Sequence, residues 1–287
     1  MIQSRSDLHQ ARRVVVKIGS SLLADEGSGV RQDVIDHLVD EVVELMRSGL
    51  QVVIVTSGAV ALGRVKLEWL DRQLSVHEKQ AAAAIGQPKL MNAYAQAFER
   101  YDISVAQMLL TKDDLRNRRR YLNASNTSET LFSVGVVPIV NENDTVVVAE
   151  IKFGDNDSLG ALVARVVDAD LVVMMTDVAG LYDRNPIKYA DAKRIGIVAE
   201  LTDEHIAMAG DAGSSFGTGG MASKLSAASV ATRVGVAAAI ISGKEKCSLT
   251  RLLAGDDVGT LFICGEDRQT HRKHWIRAVL KAAGQIH

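Results

Sequence analysis

Val14-Val15-Val16-Lys17-Ile18-Gly19-Ser20-Ser21-Leu22-Leu23 passes from a β-branched apolar run into a small polar turn. Such a run suits a strand covered on both faces of a parallel sheet. Gly19 carries no Cβ, so backbone N–H groups of the turn can approach an anionic ligand closely, and Lys17 adds a mobile point charge. The segment predicts a buried parallel strand leading into a phosphate site, although a core strand with an ordinary turn and a surface lysine reads the same in isolation. A second Gly-rich turn lies far downstream. Gly217-Thr218-Gly219-Gly220-Met221-Ala222-Ser223-Lys224 opens a helix and offers a second lysine.

The grammar of strand, turn and helix repeats along the chain. Val34, Ile35, Leu38, Val39, Val42, Leu45 and Met46 form one stripe of a helix over 33–48, with Gly49 at its C′ position. Residues 51–55 predict a strand that runs into Thr56-Ser57-Gly58-Ala59 and a further helix. The alanine-rich segment 80–86 and the segment 88–101 predict two helices, with Pro88 starting the second, where its missing N–H costs nothing. Further strands are expected at 103–109, 136–140, 171–175 and 236–241, and an edge strand at 259–262. Helices are expected at 159–167, 221–234, 268–283 and in part of 113–133, an antiparallel ribbon at 146–151, and a flexible stretch at 210–220. This alternation marks an α/β fold with a mostly parallel sheet.

At 287 residues, 47% of them hydrophobic, the chain can bury one large α/β domain or two modest ones. A net charge of −2 gives no electrostatic argument for a nucleic-acid or membrane partner, so small acidic ligands must be held by local groups. Arg116, Arg118, Arg119 and Arg120 read as a solvated or subunit-contact face, because only Tyr121 interleaves them. Cys247 and Cys264 stand at no metal or redox spacing and read as small buried hydrophobes. The N-terminus lacks an apolar leader and no apolar run reaches the ~18 residues of a membrane span. A cytoplasmic location is expected.

Polar residues gather at the C-terminal ends of the expected strands, the edge at which open α/β sheets bind ligands. Two lysines, several glycine turns and Asp157 fit phosphoryl transfer, in which positioning and charge neutralisation do nearly all the catalysis. The common nucleotide fingerprints do not apply. A Walker A motif needs Gly-Lys-Ser/Thr, but Lys224 follows Ser223 and Lys17 follows Val16, and the relaxed dinucleotide pattern at 217–222 lacks a preceding apolar strand. The histidines form no pair at metal or triad spacing, His77 and His205 read as surface or helix residues, and no Gly-x-Ser-x-Gly elbow is present. A kinase without a general base suits an acceptor that is already ionised, such as a carboxylate.

In register, Val15-Val16-Lys17-Ile18-Gly19-Ser20-Ser21, Val53-Ile54-Val55-Thr56-Ser57-Gly58-Ala59, Asn141-Glu142-Asn143-Asp144, Gly154-Asp155-Asn156-Asp157, Thr176-Asp177 and the turn 217–224 resemble the glutamate 5-kinases of the amino acid kinase family. The resemblance implies a three-layer αβα sandwich with a mostly parallel open central sheet of about eight strands. It implies a kinase domain over 1–265, its N-terminal half holding L-glutamate and its C-terminal half ATP with Mg2+. Residues 266–287 are expected to form a helical tail, without the PUA domain that many family members carry. The implied reaction moves the γ-phosphoryl group of ATP to the glutamate side-chain carboxylate, the first step of proline biosynthesis.

Carried over by position, Lys17 and Lys224 neutralise the transferring phosphoryl group and Asp157 holds both ammonium groups. Ser57, Gly58, Ala59, Asp144 and Asn156 match the glutamate positions, with Asp144 toward the substrate ammonium. Lys17, Gly19, Ser20, Thr176, Asp177, Thr218, Gly219, Gly220, Met221, Ala222, Ser223 and Lys224 match the nucleotide site. Asp155 is left between a magnesium or substrate role and local loop order. The same resemblance implies proline as a feedback inhibitor in the glutamate pocket, a homo-oligomer, and product transfer to a glutamyl phosphate reductase. The alternatives are a sibling kinase acting on acetylglutamate, aspartate or carbamate, and a sensor that binds without catalysis. Asp144 would be left unpaired by an acetylated amine, and a sensor has no need of both lysines and Asp157.

Overall fold

A computed structural model describes residues 1–25, 29–146, 156–210 and 220–264. A 3-10 turn at Arg5–Gln10 leads into β1 (Arg13–Ile18), where Val14, Val15 and Val16 are fully buried. The chain continues through α1 (Ser20–Leu23), the short pair β2 (Ala24–Asp25) and β3 (Gly29–Val30), α2 (Gln32–Arg47), β4 (Gln51–Val55), α3 (Ala59–Lys66) and α4 (Val76–Glu99). Next come β5 (Val105–Leu110), α5 (Lys112–Arg116), α6 (Arg118–Ser133), β6 (Val137–Glu142), α7 (Asn156–Val166) and β7 (Leu171–Thr176). Then follow β8 (Ile197–Val198), α8 (Asp203–Gly210), α9 (Met221–Arg233), β9 (Ala237–Ser242), α10 (Ser248–Leu253) and β10 (Thr260–Phe262).

Eight strands form one sheet in the order β5-β6-β4-β1-β7-β9-β10-β8. The six from β5 to β9 are parallel, β10 runs against β9, and β8 lies parallel to β10. β1 lies inside the sheet, with Val15 paired to Val53 on one side and Val172 on the other. Because strand side chains alternate between faces, Val14, Val16 and Ile18 pack with Leu38, Tyr94 and Leu252 from α2, α4 and α10. Val15 enters the opposite core with Leu159 of α7 and Ala227 of α9. The result is a three-layer αβα sandwich with polar loops at the C-terminal edge of its parallel strands. No helix among the described residues is long and apolar enough to cross a membrane.

Several expectations are corrected. The segments 80–86 and 88–101 belong to one helix, α4, with Pro88 inside it and Ser75 as its N-cap in a capping box with Glu78. Pro88 and Ala84 both face solvent, so the Ala84 carbonyl freed by the missing N–H can be hydrated. The 259–262 strand is interior, because the two-residue β8, too short to show a period, lies outside it. Helix α7 begins at Asn156 rather than Leu159, which puts Asn156 and Asp157 in its first turn. Cys264 is buried, but Cys247 is exposed, on left-handed backbone ahead of α10. The ribbon beyond Val146, Asp155, the stretch 211–219 and the tail from Gly265 lie outside the described residues.

Candidate active site

Lys17 leaves β1 on the face covered by α7. Gly160 makes room for it: a Cβ on Gly160 would stand 3.3 Å from the Lys17 Cβ. Asp157 sits in the first turn of α7, where the helix dipole favours an anion, and Lys224 in the first turns of α9. Lys17 Nζ lies 2.5 Å from Asp157 Oδ1, and Lys224 Nζ lies 3.2 Å from Oδ2. Ser223 Oγ donates to the same Oδ2 at 2.7 Å. The two lysine side chains are 5% and 6% exposed and Asp157 is 1% exposed. Burial works against the Asp157 charge, but the attraction of Lys17 and Lys224, with hydrogen bonds from Lys17 and Ser223, holds its carboxyl below the usual carboxylate range. Among the described residues two ammonium groups meet one carboxylate, an arrangement suited to an anionic group. Lys17 is therefore fixed in place rather than a mobile charge.

Beside this cluster the end of β4 and the start of α7 meet. Gly58 takes φ +107 as the N-cap of α3, a conformation costly for residues with a Cβ. Asn156 Nδ2 is 2.6 Å from the Thr56 carbonyl, 2.9 Å from Ser57 Oγ and 2.9 Å from Asn141 Oδ1. Asn156 Oδ1 is buried and has no hydrogen-bond partner among the described residues. Helix α4 backs this corner. Its Tyr94 hydroxyl bonds Thr56 Oγ1 at 3.0 Å, its Gln87 accepts from Asn141 Nδ2 at 2.8 Å, and a Cβ on its Gly86 would collide with the Ala59 carbonyl oxygen at 1.8 Å. Gln87, Tyr94, Gly86 and Gly160 had no part in the site expected from the sequence and Asn141 stood in a motif without a role of its own, since each acts across the fold on a partner distant in the chain.

Asp144 follows β6 and is partly buried; burial first, and the neighbouring Glu142 charge second, push its carboxyl up to about 7. Glu142 is itself buried at the end of β6. On the other side of β1, a Cβ on Gly19 would lie 3.8 Å from Lys17 Nζ, in the space beside the ammonium, and Ser20 opens α1. Thr176 ends β7 and donates to Asp177 Oδ1 at 3.0 Å, while Asp177 is exposed. Gly220 is the N-cap of α9, followed by half-buried Met221 and exposed Ala222. Thr218 and Gly219 lie outside the described residues. Arg116, Arg118, Arg119 and Arg120 are all exposed, Arg116 and Arg120 beside Asp113 and Asp114. Among the described residues no three His, Cys, Asp or Glu side chains converge on a metal position.

Residues 12–242 match the family model described as Amino acid kinase family. The chain belongs to the amino acid kinase family. Among amino acid kinases it is similar to glutamate 5-kinase of Trichlorobacter lovleyi, 49% identical over 282 residues that cover 98% of this chain and 75% of the relative. Glutamate 5-kinase of Geobacter sp. strain M21 is 50% identical over 279 residues, 97% of this chain and 75% of the relative. Glutamate 5-kinase of Laribacter hongkongensis is 46% identical, over 98% of this chain and 76% of the relative. The crystal structure of UMP kinase from Bacillus anthracis superposes with a TM-score of 0.59 at 16% identity, covering 89% of this chain and 97% of that one. At that identity the likeness concerns architecture: the amino acid kinase sandwich with its eight-stranded, mostly parallel sheet.

Proposed function

We propose that this amino acid kinase transfers the γ-phosphoryl group of ATP to the side-chain carboxylate of L-glutamate, giving L-glutamyl 5-phosphate and ADP, the first step of proline biosynthesis. The observation that carries the reading is the buried arrangement of Lys17 and Lys224 on the two oxygens of Asp157; the similarity to glutamate 5-kinases supplies the acceptor. An acceptor carboxylate oxygen forms a bond to the γ-phosphorus as the bond from phosphorus to the ADP oxygen breaks. No proton has to leave the acceptor, which suits a site built from lysines. Lys17 and Lys224 offset the charge on the transferring group, and Asp157 keeps them aligned.

The acceptor fits the corner formed by Ser57, Gly58, Ala59, Asp144 and Asn156. Asn156 Oδ1 and the Asp144 carboxylate accept from the substrate ammonium, and the Ser57 hydroxyl, accepting from Asn156, keeps its own proton for a substrate carboxylate. We assign Gly19, Ser20, Gly220, Met221, Ala222 and Ser223 to the phosphates, with Thr218 and Gly219 as the resemblance implies, and Thr176 and Asp177 to the nucleoside side. Mg2+ usually keeps its waters and binds through substrate phosphates, so we assign it to the nucleotide. Proline, which shares the α-carboxylate and ammonium, competes for the Asp144 and Asn156 corner. A cytoplasmic homo-oligomer completes this reading.

The deciding experiment is ADP release with glutamate, N-acetylglutamate and aspartate as acceptors, with the acyl phosphate trapped as hydroxamate. Glutamate is expected to be preferred. Preference for N-acetylglutamate, or nucleotide binding without hydroxamate, overturns the reading.

A further inference from the structure

Four side-chain amides run head to tail through the acceptor half of the site. Asn156 Nδ2 donates to Asn141 Oδ1 at 2.9 Å, Asn141 Nδ2 to Gln87 Oε1 at 2.8 Å, and Gln87 Nε2 to Gln107 Oε1 at 2.9 Å. Asn156, Asn141 and Gln87 are buried, and Gln107 is exposed on β5 at the end of the sheet. Backbone groups, each with a single role, set the direction of the chain. The Glu142 N–H can only donate, and it meets Asn141 Oδ1 at 2.9 Å; the Thr56 carbonyl can only accept, and it takes Asn156 Nδ2 at 2.6 Å. Asn141 must therefore turn Nδ2 toward Gln87, and Asn156 must keep Oδ1 free, buried and without a partner among the described residues.

We propose that Gln87 and Asn141 are positioning residues that lock the Asn156 amide with its oxygen toward the acceptor, so that the site demands a donor, the α-ammonium, at that point. The inference rests on the glutamate reading and adds to it the source of selectivity. An acceptor with two carboxylates but no α-amine leaves Asn156 Oδ1 buried and unpaired, which is the strongest kind of rejection a polar site offers. Gln87 touches no substrate. Its removal strands Asn141 Nδ2 and loosens the Asn141 and Asn156 amides, leaving the Glu142 N–H and the Thr56 carbonyl alone to hold their direction.

The test compares kcat and KM for glutamate and for glutarate, its analogue lacking the α-amine, in the parent protein, Gln87→Leu and Gln87→Glu. Gln87→Leu is expected to raise the glutamate KM about tenfold, the scale of one buried hydrogen bond, to leave the ATP KM unchanged, and to lower the preference for glutamate over glutarate by a similar factor. Gln87→Glu retains an acceptor for Asn141 and recovers most of that preference. Unchanged preference in a folded Gln87→Leu, or equal loss in both variants, overturns the positioning role while the glutamate reading stands. Side-chain amide hydrogen exchange of Asn156 reads the lock without any substrate: slow in the parent and faster in Gln87→Leu, with equal rates counting against the proposal. A parent protein that phosphorylates no glutamate overturns the functional reading and the selectivity role, and the exchange rates then still decide the lock.

Discussion

Lys17 at the end of β1 and Asp157 in the first turn of α7 stand 140 residues apart in sequence, yet Nζ and Oδ1 are 2.5 Å apart in the buried centre of the site. The second ammonium, that of Lys224, closes on the other oxygen of the same carboxylate. Because the charge they offset is greatest in the transition state, Lys17→Ala and Lys224→Ala are each expected to lower kcat by about 100-fold or more with a smaller change in the glutamate KM. Steady-state kinetics with saturating ATP check this. Near-parental turnover in either variant removes that lysine from the catalytic set.

Asp157 differs from the lysines in what its loss does to the fold. Asp157→Ala leaves two buried ammonium groups without their shared carboxylate, a change that costs about 3–5 kcal/mol in comparable buried pairs. Asp157→Asn preserves shape and a hydrogen-bond acceptor and is expected to lose turnover with a smaller loss of stability. Urea denaturation of the two variants, beside their kcat values, separates the roles.

The Asp144 carboxyl, pushed up to about 7 by burial and Glu142, gives the acceptor site a pH dependence of definite sign. Below that value Asp144 is protonated and offers no charge to an ammonium, so the glutamate KM is expected to fall as pH rises from about 6 to 8. Asp144→Asn should flatten this profile. In the free protein the raised value means that stability contributed by the protonated group is lost as pH climbs from the ordinary 3.8 to about 7. A substrate ammonium offsets that loss, so glutamate should raise Tm more at pH 8 than at pH 6. A thermal shift equal at both values contradicts the assignment.

Gly86 of α4 and Ala59 of α3 make a close helix contact at the site. A Cβ on Gly86 would meet backbone, the Ala59 carbonyl at 1.8 Å and the Gly63 nitrogen at 2.7 Å, so α3 has to move. Gly86→Ala is expected to cost stability near the upper end of the ~1–3 kcal/mol typical of overpacking and to raise the glutamate KM by displacing Ser57-Gly58-Ala59. The ATP KM should change less. Equal changes in both constants would show a general loosening instead.

Glu41 joins two neighbouring helices of one layer of the sandwich. From α2 its Oε2 accepts the backbone N–H groups of Leu249 at 2.8 Å and Thr250 at 2.9 Å in the first turn of α10. Burial raises its carboxyl above the usual range, and the Thr250 and Leu249 bonds oppose that rise. Glu41→Ala strands both N–H groups, each worth about 1–3 kcal/mol when buried and unsatisfied. Glu41→Gln keeps an acceptor oxygen and should cost less, as denaturation midpoints will show. An equal loss would mean that packing of the stem, not the cap, is what matters.

The sequence by itself determined an α/β fold with a mostly parallel sheet, the strand ends at Lys17, Ser57 and Thr176 and the helix that carries Lys224, because these follow from local signals, while the αβα layering came from the family resemblance. A β-branched run, a stripe at helical spacing or a glycine turn shows its meaning within a few residues, and the family motifs lie in such turns. Only the tertiary structure decided the rest. Pro88 could sit inside α4 because its turn faces water, and β10 became an interior strand because a two-residue neighbour with no periodicity pairs outside it. The Lys17–Asp157–Lys224 geometry and the direction of the Asn156–Asn141–Gln87 chain depend on sheet order and on how α4, α7 and α9 pack against it. Those contacts join residues tens to more than a hundred positions apart, and no local pattern encodes the donor that a buried oxygen will meet.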